Sequence, residues 1–274
     1  MAAEPPLGAK EPPASGFAVV DPRYEALYAR ACEVFGADPR VVRVEVHGSI
    51  ADGTADAWSD LDLKVIVRDA EFGSVLDEWR AWMDAITPTV LLDRPIANFI
   101  INAVTADGLT FDVSVWREST PEWTQPAGFG VGLLSGKRYN DYPAAVAYAV
   151  QERLRCLAGP GIRFVKRGDA VAHLAGIGHT MSLLMTVLLA ETGVIPADSR
   201  HPERALTDDQ RAVFASLPPV GATPDSLLAF ELALAEATLT RARPLLSDWP
   251  TALESVAAKN LREHLGVTVD WLRE

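Results

Sequence analysis

The chain has 274 residues, with 25 Lys and Arg against 37 Asp and Glu, a formal charge of −12, and 49% hydrophobic and 23% charged residues. That length supports one large domain or two smaller ones with a full core, and the composition excludes wholesale disorder. Residues 1–130 hold 10 basic and 21 acidic side chains, a net of −11, and residues 131–274 hold 15 and 16, a net of −1, the reverse of what gripping a nucleic-acid backbone requires.

Residues 1–16 are rich in Pro, Ala and Gly, and a disordered leader is expected there. The start, Met1-Ala2-Ala3-Glu4-Pro5-Pro6, has no basic or apolar stretch of a signal peptide. Asp21 as N-cap and Pro22 at the first helical position predict a helix to Phe35, closed by Gly36. Val41–Val46 reads as a strand, Asp60–Val67 as a second, and Glu71–Ile86 as an amphipathic helix. Three more strand-like runs follow, at Thr89–Leu92, Phe99–Val104 and Leu109–Trp116; Ala106-Asp107-Gly108 marks a hairpin between the last two.

After Trp116 the pattern changes. Residues 117–140 are punctuated by Pro and Gly, and from Asp141 onward the chain reads as helix: 142–158, 169–193, 207–216, 224–246 and 251–265. The expected fold is α+β, with a mixed-sheet domain over 17–130 and a helical domain over 131–274. The most apolar stretch, Val171–Ala190, contains His173, Gly176, Gly178, His179, Thr180, Ser182 and Thr186, and is read as a buried core helix rather than a membrane span. Cys32 and Cys156 match no metal spacing and no disulfide framework, which points to a reducing, cytoplasmic setting.

The chemistry concentrates in residues 44–63. A strand ends at His47, and Gly48-Ser49 turns into a short helix whose free amides, with the Ser49 hydroxyl, form a phosphate cradle. Asp60 and Asp62 stand at i and i+2 of a strand, so both project from one face. Asp112, between Phe111 and Val113, is expected to point from the same face of a neighbouring strand. Three hard carboxylates on one surface suit Mg2+, which takes the rest of its shell from water and substrate phosphates.

Val46-His47-Gly48-Ser49, then Ser59-Asp60-Leu61-Asp62-Leu63, then Phe111-Asp112-Val113, resembles the signature of the DNA polymerase beta-like nucleotidyltransferases. In layout the chain is most similar to the small antibiotic nucleotidyltransferases that modify aminoglycosides or lincosamides. The motif spans residues 44–116; the helical half matches in architecture alone. The resemblance implies that Gly48 and Ser49 contact nucleotide phosphates, that Asp60 and Asp62 bind Mg2+, and that Asp112 is the third carboxylate, set near the acceptor hydroxyl. Deprotonated by Asp112 or by metal-bound hydroxide, that hydroxyl would attack the α-phosphate of ATP or another nucleoside triphosphate, and pyrophosphate would leave. The implied acceptor is a small hydroxylated molecule, cationic like an aminoglycoside, which the acidic first half would attract while repelling RNA. Rival readings are transfer to a protein or tRNA, as in toxin-type enzymes, and a catalytically silent nucleotide-binding module.

Further candidates surround this centre. Lys64 shares strand parity with the two aspartates. The segment 137–168 carries Lys137, Arg138, Arg153, Arg155, Arg163, Lys166 and Arg167 against Asp141 and Glu152, and Lys137 is the choice for the β- and γ-phosphates. His47, Glu203 and Arg204 are weaker candidates, as are Trp58 and Trp116 for stacking, and each has an ordinary structural explanation. His173 and His179, six apart, do not have the spacing of helical metal ligands.

Overall fold

A computed structural model describes residues 16–93, 100–120, 141–194 and 201–273. The expected leader and the 121–140 linker therefore lie outside the described residues, except for Gly16 and residues 117–120. The chain divides into two compact units, Met1–Gly130 and Val131–Glu274. The fold is α+β: a five-stranded mixed sheet with helices in the first unit and helices alone in the second.

In the first unit the elements run α1 (Arg23–Gly36), β1 (Val41–His47), α2 (Gly48–Asp52), β2 (Leu61–Val67), α3 (Phe72–Ile86), β3 (Thr89–Asp93), β4 (Ile100–Thr105) and β5 (Thr110–Arg117). Phe99, expected to open the fourth strand, is not among the described residues. The start of α1 is one residue later than its sequence signals imply. Pro22 occupies the N-cap, and the Asp21 carboxylate accepts from the Arg23 amide at 2.9 Å, an Asx turn that precedes the helix.

The strands are ordered β1-β2-β5-β4-β3. Only β2 and β5 run parallel; the other neighbours are antiparallel, and the Asp107-Gly108 turn joins β4 to β5 as a hairpin. Alternation sorts the side chains cleanly. Leu61, Leu63 and Val65 on β2, and Phe111, Val113 and Val115 on β5, are buried in one core with Val44, Val46, Ile101 and Ala103. Against that face pack Leu27, Ala31 and Phe35 of α1 and Val75, Trp79 and Met83 of α3. Phe35 and Trp82 meet edge to face at 5.1 Å. The intervening residues Asp62, Lys64, Asp112 and Ser114 are only partly buried, on the opposite face.

The second unit contains α4 (Tyr142–Ala158), α5 (Pro160–Arg167), α6 (Ala170–Thr192), α7 (Asp208–Ser216), α8 (Pro224–Ala242) and α9 (Thr251–Leu265). Helix α5 was not expected: Pro160-Gly161 reads as a loop, but Pro160 sits in the first turn, where its missing N–H costs nothing. The helix expected over 224–246 ends instead at Ala242, because Pro244 cannot continue it and a 3-10 turn, Arg243–Leu245, takes over. Ile177, Leu184 and Leu188 of α6 pack on Leu227, Phe230 and Leu234 of α8. Among the described residues α6 is the helix long and apolar enough to cross a membrane. The helix is partly buried, through Leu183, Leu184, Val187, Leu188 and Leu189 in its later half, whereas Val171 near its start is 81% exposed.

The core on the helix-covered side of the sheet sets the stability of the first unit. Phe111→Ala should lower the unfolding free energy by about 3–5 kcal/mol, and Val171→Ser, on an exposed position of α6, by less than about 0.5 kcal/mol. Urea unfolding followed by far-UV circular dichroism checks both.

Candidate functional site

The polar face of the sheet is organised by register. Asp62 is the partner of Asp112 across the parallel β2–β5 pair, Asn102 is the partner of Asp112 across β4–β5, and His47 is the partner of Asp62 across β1–β2. Asp93 faces Asn102 from β3. One row of polar residues therefore crosses all five strands. Asp60, just ahead of β2, joins it: one carboxylate oxygen from each of Asp60, Asp62 and Asp112 lies within 4.8 Å of the others, and all three residues are partly buried.

The loop that delivers Asp60 is tied by its own side chains. The Asp56 carboxylate accepts from the Trp58 amide and the Ser59 hydroxyl, each at 3.0 Å, and the Ser59 oxygen accepts from the Asp56 amide at 3.0 Å. Ser59 is buried by this knot, and Ile50 anchors α2 in the core beneath. The α2 turn closes on Gly53, whose amide donates to the Ser49 carbonyl.

Gly48 is dictated by the site. Its φ is +63°, and a Cβ placed there would lie 2.3 Å from Oδ2 of Asp62. No side chain fits, so the backbone approaches the carboxylate as closely as glycine allows. Ser49 follows in the same turn, on α2. Lys137 lies outside the described residues.

The donor set can be tested against a cation. Three carboxylate oxygens are hard ligands, and around an octahedral ion of the Mg2+ size, donors at about 2.1 Å stand ~3 Å apart when adjacent and ~4.2 Å when opposed. Three oxygens within 4.8 Å of one another can close on such an ion by small rotations. The residues fit a divalent cation. They offer no soft ligand, and neither cysteine is an activated nucleophile: burial raises the Cys32 thiol and pushes Cys156 up to about 12.

One residue of the centre escaped the sequence reading. Asn102, in the apolar run Ile100-Ile101-Asn102-Ala103-Val104, is 7% exposed and donates through Nδ2 to Oδ1 of Asp112 at 2.6 Å. The signal was a polar side chain in an otherwise apolar strand.

The other candidates divide. Lys64 lies on the acid face, its ammonium 4.9 Å from the centroid of the Trp116 ring, whose Nε1 donates to Ser114 Oγ at 2.8 Å. Trp58 is half-buried, held by its amide in the Asp56 turn, and His47 is exposed at the end of the acid row. Glu203 and Arg204 sit in the 3-10 turn Pro202–Ala205, where Glu203 faces His201 and its carbonyl accepts from Arg211.

Within the helical unit, the basic segment is partly committed to internal pairs. Arg153 is fully buried; it donates to the Glu231 carbonyl at 2.9 Å and pairs with the Glu231 carboxylate, which His173 approaches at 3.3 Å. Arg155 chelates Glu152 with two bonds of 2.8 Å, and His179 Nε2 stands 3.4 Å from the same carboxylate. Burial alone would raise both acids. The charge and hydrogen bonds of Arg155, with His179, hold Glu152 at about 2; those of Arg153, with His173, hold Glu231 at about 2. His173 also stacks on Phe164 at 5.6 Å. These two histidines serve the fold of the helical unit.

No protein-family model matches the chain, and no curated protein matches it. Among solved structures, it is similar to an aminoglycoside 6-adenyltransferase from Bacillus subtilis at 12% identity and a TM-score of 0.27, over 86% of this chain and 95% of that one. At that similarity the likeness says nothing of activity or substrate, which must come from the site itself.

Two outcomes test this geometry. Gly48→Ala should displace Asp62 and abolish divalent-cation binding, whereas Gly53→Ala, with φ of +70° but nothing within 4 Å of its added Cβ, should cost only about 1–2 kcal/mol of stability and keep it; calorimetric Mn2+ titration separates the two. Glu152 and Glu231 have pKa values near 2, below the ordinary 4.5, so their stabilisation is complete above about pH 4.5 and is lost as pH falls toward 2. Unfolding free energies from urea titration of the helical signal should therefore drop steeply over that window, by about 2–3 kcal/mol per acid, and Glu231→Gln should flatten the slope.

Proposed function

We propose that the first unit carries a nucleotidyltransferase centre, which moves a nucleoside monophosphate, AMP from ATP, onto a hydroxyl of a small acceptor and releases pyrophosphate. The observation that supports this reading is the convergence of Asp60, Asp62 and Asp112 on one register row, against a glycine turn that permits no side chain. The acceptor class we propose is a hydroxylated, cationic molecule of the aminoglycoside kind, drawn by the net −11 of residues 1–130. Cytoplasm, with its ATP and Mg2+, is the compartment proposed for this reaction.

In this mechanism Asp60, Asp62 and Asp112 would hold Mg2+. When bound, the ion supplies neutralisation of the charge that develops on the transferred phosphoryl group. Gly48 lets the triphosphate approach the backbone, and the Ser49 hydroxyl donates to one of its oxygens. Lys137 is assigned to the β- and γ-phosphates. Asp112 accepts the proton from the acceptor hydroxyl as its oxygen forms the new bond to the α-phosphorus and the bond to pyrophosphate breaks. No covalent enzyme intermediate is needed, in keeping with two cysteines whose thiols are both raised by burial.

Pyrophosphate release from ATP and Mg2+ should appear with at least one member of a panel of aminoglycosides and lincosamides, and not with tRNA. Asp60→Asn should lower that rate by about 10²–10³-fold while leaving the circular dichroism spectrum unchanged. ATP binding without release on any acceptor would replace the enzyme with a binding module; release with tRNA alone would reverse the acceptor class.

A further inference from the structure

We infer that Asn102 is a positioning residue that controls how Asp112 meets a divalent cation, and that it makes the centre select a small octahedral ion, Mg2+ or Mn2+, over Ca2+. The inference rests on the metal reading of the acid row and goes beyond it, since Asn102 itself touches no ion.

Asn102 is almost completely buried on β4, with Ile101 and Ala103 on either side turned into the core. A buried amide is costly unless bonded, and here the bond is short, 2.6 Å from Nδ2 to Asp112 Oδ1. Facing a carboxylate, which accepts only, the amide presents its NH2 group, so the polarity of the contact is set by chemistry. A bond to an ionised acceptor is about twice as strong as a neutral one and strongly directional. It fixes the plane of the Asp112 carboxylate and draws Oδ1 toward β4. The strand register reinforces this, because Asn102 and Asp112 are direct partners.

With one lone pair of Oδ1 engaged by Asn102 and the carboxylate plane held, chelation by both oxygens is disfavoured and Asp112 meets the centre best through one. That geometry discriminates between cations. Ca2+ takes six to eight oxygens at about 2.3–2.6 Å and gains from carboxylates that chelate with both; Mg2+ demands six at about 2.0–2.1 Å, and takes carboxylates through one oxygen with water filling the rest. Three carboxylates, one of them restrained, match the second demand. Residues that orient ligands in this way typically change metal affinity 10–100-fold.

The test measures binding, not turnover. Mn2+ affinity by electron paramagnetic resonance and Ca2+ affinity by competition are determined on the full chain without nucleotide, for the native protein, Asn102→Ala, Asn102→Leu and Asp60→Asn. The native protein should prefer Mn2+, and Asp60→Asn should lose both ions. Asn102→Ala should reduce the Mn2+ over Ca2+ preference by about tenfold. Asn102→Leu, nearly the same shape but without the donor, should reduce it at least as much, and decides the matter if the alanine variant does not fold. A preference unchanged within about twofold in a folded variant overturns the inference while the metal centre stands. Absence of binding in the native protein overturns the metal reading, and this inference with it.

Discussion

The acid row is the constraint around which the first unit is built. Three carboxylates with oxygens within 4.8 Å of one another repel. Each pair of unit charges at ~4 Å costs ~1 kcal/mol in a watery setting and ~4 kcal/mol at an effective dielectric near 20. The Asn102 amide offsets part of this at Asp112. The compensation comes from the other side of the same strands. Every residue that flanks an acid within β2 and β5 is apolar and fully buried, namely Leu61, Leu63, Phe111 and Val113. Each contributes roughly 1.5–3 kcal/mol by burial, so slipping the register by one residue would both scatter the acids and expose the core. The hydrophobic pattern thereby holds like charges together on one face, as a hard-oxygen cluster of the kind that suits a cation.

Glycine completes the arrangement. Asp62 leans so closely on the turn after β1 that Gly48 leaves no space for a β-carbon. The turn brings peptide groups up to the acids, which a side chain would hold away. A centre of this design is rigid by packing rather than by covalent links: α2 is pinned by Ile50, and the loop to β2 is knotted by Asp56 and Ser59. Both devices are local, within a dozen residues of the acids they position.

Local devices are the ones that can be read from sequence. Alternation within Asp60–Val67 and Leu109–Trp116 placed Asp62 and Asp112 opposite the apolar face, and the structure has them so, with Asp60 one residue ahead of β2 rather than on it. The glycine turn followed from its neighbours. What stayed hidden depends on pairing across distance. Asn102 meets Asp112 because β4 and β5 form a hairpin in one particular register, and a shift of one residue would turn Asn102 into the core. Arg153 and Glu231 lie 78 positions apart and meet only when α4 and α8 pack together; no spacing rule reports such a contact. Helix α5 was hidden for a different reason, since Pro160-Gly161 carries a turn signal that the chain overrides by starting a helix at the proline.

The charge split of −11 and −1 takes on a sharper meaning when the pairs are known. In the helical unit, Arg153 and Arg155 are turned to Glu231 and Glu152, so part of its nearly balanced charge is neutralised internally. Breaking either pair would leave a buried charge uncompensated, which costs about 3–5 kcal/mol. Their depressed acids mean that this unit draws stability from ionisation. In the sheet unit three acids gather at the site, with Asn102 a neutral donor to Asp112. The same side-chain chemistry is thus used in two ways. Acids matched by arginine close the helical core, and acids gathered on one sheet face form a hard-oxygen cluster of the kind that suits a divalent cation.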